Sequence, residues 1–131
     1  MKDKKVTPQL LLASLWIFFL FNMLARDMHQ FLNPVFLDEL MTKNIAEEFV
    51  LVFGIILEIP ILMIPLSLTL TDRHNKWANC IASGIVVLGI LYSLSTADLD
   101  DIFFALMELG AVATILKIAF KLSPSTVKKH I

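Results

Sequence analysis

Polar residues in this chain come in short breaks between long apolar stretches, with little of the alternation that a half-buried strand would need. Four stretches, at about residues 10–32, 49–71, 77–97 and 102–122, reach the ~20 residues that a helix needs to cross a bilayer. The pattern predicts an all-α fold: a four-transmembrane-helix antiparallel bundle with a short interfacial helix in the first outer loop. Residues 1–131 form one transmembrane domain on this reading, with no soluble domain.

The breaks add detail. The strictly apolar part of the first stretch, residues 10–25, would span only about 24 Å as a helix, short of the ~30 Å hydrocarbon core. The helix is therefore expected to run on to Leu32, carrying Arg26, Asp27 and His29 into the outer part of the bilayer. Asn33 then suits an N-cap and Pro34 a first helical turn. Residues 34–41 put Phe36, Leu37, Leu40 and Met41 on one face and Asp38 with Glu39 on another, as in a helix lying in the interface. Asn44 and Glu47 have capping-box spacing and are expected to open the second span. Pro60 and Pro65 each remove a helix donor from that span, which predicts a kink beside Glu58. The short polar break at residues 72–76 makes the second and third spans antiparallel neighbours. In the third span, Ala78/Ala82 and Cys80/Gly84 recur at four-residue spacing, which permits close helix approach. A homo-oligomer is expected from that face, with a dimer favoured.

Composition settles the class. With 57% hydrophobic residues and a mean hydropathy of +0.77, a soluble domain of this size would expose too much apolar surface. The first stretch lacks a small-x-small cleavage site and reads as a retained span. Net charge is −1, but its distribution is informative. Lys2, Lys4, Lys5, Arg73, Lys76, Lys128 and Lys129 fall on the termini and the 72–76 break, and Lys117 and Lys121 on the last turns of the fourth span. Acids gather on the opposite side. The expected location is a cytoplasmic (inner) membrane, crossed several times, and the positive-inside bias predicts cytoplasmic N- and C-termini. The basic tail, Lys128-Lys129-His130, suits anionic lipid rather than nucleic acid. Cys80 is alone, so no internal disulfide forms.

Candidate chemistry lies in the charges at membrane depth. Glu58 and Glu108 sit inside apolar runs, where an ionisable group persists only if it is paired, protonated or used. By helical rise, Asp27 and Glu108 lie about 8–9 Å inside the outer edge and Glu58 about 14 Å. Asn22, Arg26, His29 and Asn33 recur at 4-3-4 spacing along one face of the first span. That face is expected to meet Glu58 and Glu108 in a hydrated, outward-facing cavity. Three carboxylates against one guanidinium leave room for a proton, a charged His29, a metal ion or a small cationic ligand. The bland reading is a buried Arg/Glu pair that fixes helix register. His29 and His74 fall on opposite sides of the bilayer and cannot clamp one haem. The sequence has no Gly-rich nucleotide loop, Ser/His arrangement or paired-Cys site, so no cofactor or structural metal is expected.

Three stretches taken together point to a relationship. They are Ser14-Leu15-Trp16 with Asn22 and Arg26-Asp27, then Glu58 through Ser67 with both prolines, then Arg73 through Asn79. On these the chain resembles a family of small bacterial four-span membrane proteins classed as a domain of unknown function. The resemblance runs roughly from Val6 to Leu122 and implies four spans, with no activity or site residues to carry over. Small multidrug-resistance transporters share only length and span count, because the first span here holds no glutamate.

Three functions follow as expectations. The first is a proton- or cation-coupled transporter or ion-conducting protein that uses Glu58 and Glu108, with Arg26 as counter-charge and Asn22, Asp27 and His29 nearby. The second is a non-catalytic accessory or assembly membrane protein. The third is a membrane enzyme or sensor holding a lipid-soluble ligand.

Overall fold

Thr7 opens the first helix: its hydroxyl accepts from the backbone N–H of Leu10, and Pro8 occupies the first turn. A computed structural model describes residues 6–96 and 98–122 of the chain. The expectations for Lys2, Lys4, Lys5, the last residue of the 77–97 stretch and the basic tail lie outside those residues. The helices are α1 (Pro8–Phe31), α2 (Pro34–Thr42), α3 (Glu47–Thr69), α4 (Asp72–Ser93) and α5 (Leu99–Lys121), with a single 3₁₀ turn at Leu94–Thr96. Four of the five are long and apolar enough to cross a membrane. At 22 to 24 residues each, they reach about 33–36 Å. The fold is an all-α bundle of four such helices, and the chain is a multi-pass membrane protein.

Several boundaries differ from the sequence reading. α3 begins at Glu47 behind Ala46, with no side-chain cap, so the Asn44–Glu47 capping box does not form. Residues 44–46 belong to no helix or turn, and Ala46, with extended backbone, takes the cap position instead of Asn44. The polar residues 72–76 are not a loop either. They are the opening turns of α4, and only residues 70 and 71 connect it to α3. Asp72 at that N-terminus complements the helix dipole. Asn33 caps α2 as expected, accepting from Val35 N–H. α2 has no buried residue.

The core follows from one repeat. Along α5 the residues Ala105, Glu108, Val112, Ile115, Ala119 and Leu122 are all buried, at spacings of three, four, three, four and three. The buried face of α1 runs through Leu12, Trp16 and Phe19 in the same rhythm. That of α4 runs through Asn75, Asn79, Ala82 and Val86. Three-four spacing keeps one stripe facing the bundle axis. Contacts link α1 with α3 and α5, and α4 with α3 and α5, so the four helices close a ring in the order α1, α3, α4, α5. Every neighbour is antiparallel, and the diagonal pair α1 and α4 is parallel. Two side-chain bonds cross that diagonal at the same sequence offset of 63, from Gln9 to Asp72 and from Trp16 to Asn79. An equal offset at two levels fixes the register of α1 against α4.

Candidate functional site

Arg26 and Glu108 meet in the half of the bundle where α1 and α4 finish, where α1 packs on α5. Arg26 Nη1 lies 3.2 Å from Glu108 Oε2. The Glu108 side chain is 0% exposed and that of Arg26 13%. Both continue the three-four stripes of their helices, three residues past Ala105 on α5 and seven past Phe19 on α1. The pair thus belongs to the core, and what exposure it has lies on the guanidinium. One turn nearer the surface, Gln30 donates to Asp101 at 3.1 Å. Asp101 also accepts from the backbone N–H of Asp98 at 3.3 Å, closing the first turn of α5. At the rim, His29 Nδ1 lies 3.6 Å from Asp100, with both side chains more than half exposed. The polar groups therefore form a ladder between α1 and α5 that descends from solvent to Glu108.

Glu108 is only half satisfied. Its Oε1 is buried and has no hydrogen-bond partner. Ser83 Oγ on α4 is also buried and unpartnered. Counted from the α4–α5 turn, Ser83 lies ten residues before Ser93 and Glu108 nine residues after Leu99. Their depths are about 15 and 14 Å, so two unpaired polar atoms occupy one level on adjacent helices.

Glu58 does not join them. It is the twelfth of the 23 residues of α3, at the middle of the span, and it is exposed. The reason is helical phase. The buried face of α3 is Pro60, Met63 and Ser67, and Glu58 lies two residues before Pro60, about 200° round the helix. Depth matched Glu58 to the others approximately, and phase turns it away. The ion pairs among the described residues do not include it. The expectation of one hydrated cavity lined by both glutamates is therefore corrected: Glu108 is packed against Arg26, and Glu58 faces outward. Two surface grooves are apolar, one along α2 and one between α3 and α4, and neither touches Arg26 or Glu108.

The other candidates separate as well. Asn22 is half-buried and its amide donates to Phe18 carbonyl on its own helix. Asp27 is half-buried, within electrostatic reach of Arg26 and Asp101. The inward face of α1 at this end is Met23, Arg26 and Gln30, one residue away from the 22/26/29/33 face read from the sequence. Met23 packs on the core, and the Phe19 below it is buried. Gln30 was missed in the sequence, although it sits four residues beyond Arg26 on the same stripe. No group of three or more metal-ligating side chains occurs among the described residues.

A second polar cluster, at the other end, was also missed. Trp16 Nε1 donates to Asn79 Oδ1 at 2.7 Å. The Asn79 amide donates to the Asn75 carbonyl and side-chain oxygens, and Asn75 donates to Ser67 carbonyl at 2.8 Å. All four residues are fully buried, and they tie α1, α3 and α4 together. Trp16 is a cross-bundle anchor. The Asn75 and Asn79 spacing of four was the available signal.

Residues 2–128 match the profile of a family of unknown function (DUF6326). No curated protein and no solved structure matches the chain.

Proposed function

The chain belongs to that family of unknown function, and we propose that it is a non-catalytic assembly protein of a cytoplasmic membrane. On this reading the buried polar pairs set helix register, and the outward Glu58 marks a surface covered by another protein. One observation carries the proposal: a carboxyl at mid-span on the exterior of the bundle, without an ion-pair partner in it. Such a group is costly against acyl chains and is retained where protein covers it. The inner-end cluster and the outer-end ladder support the register role, because each joins helices at core-stripe positions. Both termini would be cytoplasmic, with Arg73, Lys76, Lys117 and Lys121 at the inner end.

The test is chemical access from lipid. Native membranes treated with dicyclohexylcarbodiimide, a lipid-soluble carboxyl reagent, are digested and Glu58 is examined by mass spectrometry. Glu58 is expected to be unmodified in the membrane and modified once detergent has separated the subunits. Modification in the intact membrane would show acyl chains at Glu58 and defeat the assembly reading.

A second reading has its own observation. The unpartnered Oε1 of Glu108, reached through Arg26 from the outer face and level with Ser83, supports a site for a proton or small cation. Proteoliposomes with a trapped pH dye would then pass protons or a cation at a rate that Glu108→Gln abolishes. Equal traces from protein-free, wild-type and variant vesicles would dismiss it.

A further inference from the structure

We infer that the surface covering Glu58 is the same surface of a second copy, so that two α3 helices pair about a two-fold axis along the membrane normal with the two Glu58 carboxyls in contact. This rests on the assembly reading and names its partner. Depth is the first constraint. A two-fold axis along the normal brings a residue only against partner residues at its own level, and near the axis against itself. Glu58 is the central residue of α3. Among the described residues the exposed bases lie elsewhere: His29 near the end of α1, Lys43 before α3, Arg73 and His74 at the start of α4, and Lys117 and Lys121 in the last turns of α5. None of them lies at mid-span, and on the α3 face itself the polar group at the level of Glu58 in a parallel copy is the second Glu58.

A carboxyl pair is self-complementary. With one proton between them, one group donates and the other accepts, and two like charges never face each other. The shape of the helix agrees. Gly54 lies one turn from Glu58 toward the outer side, is exposed, and would meet nothing within 4 Å if it carried a Cβ. Its missing side chain lets a second helix approach the carboxyl closely. Leu51 and Leu62, exposed at 65% and 52%, continue the face in both directions. α3 is also the least buried of the four long helices, leaving the most surface to cover.

This moves the expected dimer face. The sequence pointed to the small residues of the third span; of these Ala82 is buried in the bundle and Ala78 packs on its core, whereas Cys80 is half-buried and Gly84 exposed, which makes Gly84 the competing face. Ala78 and Ala82 line the contact with α3 inside one copy.

The experiment keeps Glu58 in place. In a Cys80→Ser background, Gly54→Cys is introduced and native membranes are oxidised, with Gly84→Cys and Phe21→Cys as comparison positions on α4 and α1. A disulfide-linked dimer is expected at 54 and at neither comparison position. Two differently tagged copies confirm the identity of the linked chains. Glu58→Leu in the same background should lower the linked fraction about tenfold, the worth of one membrane hydrogen bond, whereas Glu58→Gln should keep it. Linkage at 84 or 21 in place of 54 overturns the inference. Absence of any self-linkage, with Glu58 still shielded from the carbodiimide, also overturns it while leaving the assembly reading intact. Labelling of Glu58 in the membrane ends both.

Discussion

Buried charge makes the Arg26–Glu108 pair the residue-scale feature with the sharpest energetic signature. Taking away one partner leaves the other uncompensated in the core, and such a loss costs about 3–5 kcal/mol. Taking away both removes the desolvation cost together with the attraction, so most of the loss returns. Arg26→Leu and Glu108→Leu should each destabilise the protein by that amount in a detergent unfolding titration. The double variant should fall much nearer to wild type. Additive losses would mean that the two side chains act separately, against the 3.2 Å contact. The same double variant speaks to function: a protein whose pair serves register keeps its assembly, whereas a proton site would be lost with the carboxyl.

Among the elements, α1 is the hub, since its side chains reach Asp72 and Asn79 on α4 and Asp101 and Glu108 on α5. Trp16→Phe removes one cross-bundle hydrogen bond while keeping most of the aromatic volume, and membrane bonds of this kind are worth about 0.6–1.7 kcal/mol. Asn79→Leu should cost more, because it strands the Trp16 indole N–H and frees Asn75 in a site with no water access. Unfolding titrations of both variants test that order, and equal losses would argue that the bond contributes nothing beyond packing. Helix number and approximate limits were readable from hydropathy, because length and apolarity alone decide whether a helix can span. Phase was the harder quantity. Glu108 could have been placed inward from Ala105, Val112, Ile115 and Ala119, which share its stripe. Glu58 could not, because α3 is apolar on nearly every face and no stripe distinguishes inside from outside. Asn75 was hidden for another reason: it falls in the polar break at residues 72–76, which becomes the opening turns of α4, whereas Asn79 already lay inside the third span.

At the scale of the whole molecule, the two ends differ in charge, and that difference predicts orientation. Asp38, Glu39, Glu47, Glu48, Asp98, Asp100 and Asp101 gather at the end where α1 and α4 finish. Arg73, Lys76, Lys117 and Lys121 gather at the other, where Lys76 Nζ also lies 5.7 Å from the centre of the Phe120 ring. Basic segments stay on the cytoplasmic side during insertion, and acids have little influence. The end that holds Arg26 and Glu108 should therefore face outward, and the Trp16–Asn79–Asn75 cluster should lie near the cytoplasm. In a Cys80→Ser background, Lys43→Cys and Leu99→Cys should react with a membrane-impermeant maleimide on intact cells, since both positions are exposed. Arg73→Cys, exposed at the opposite end, should react only after permeabilisation. Reaction of Arg73→Cys on intact cells would invert the molecule. Equal reaction at both ends would reveal two insertion orientations, and a Glu58 pair at the midpoint of α3 would then admit antiparallel partners as readily as parallel ones.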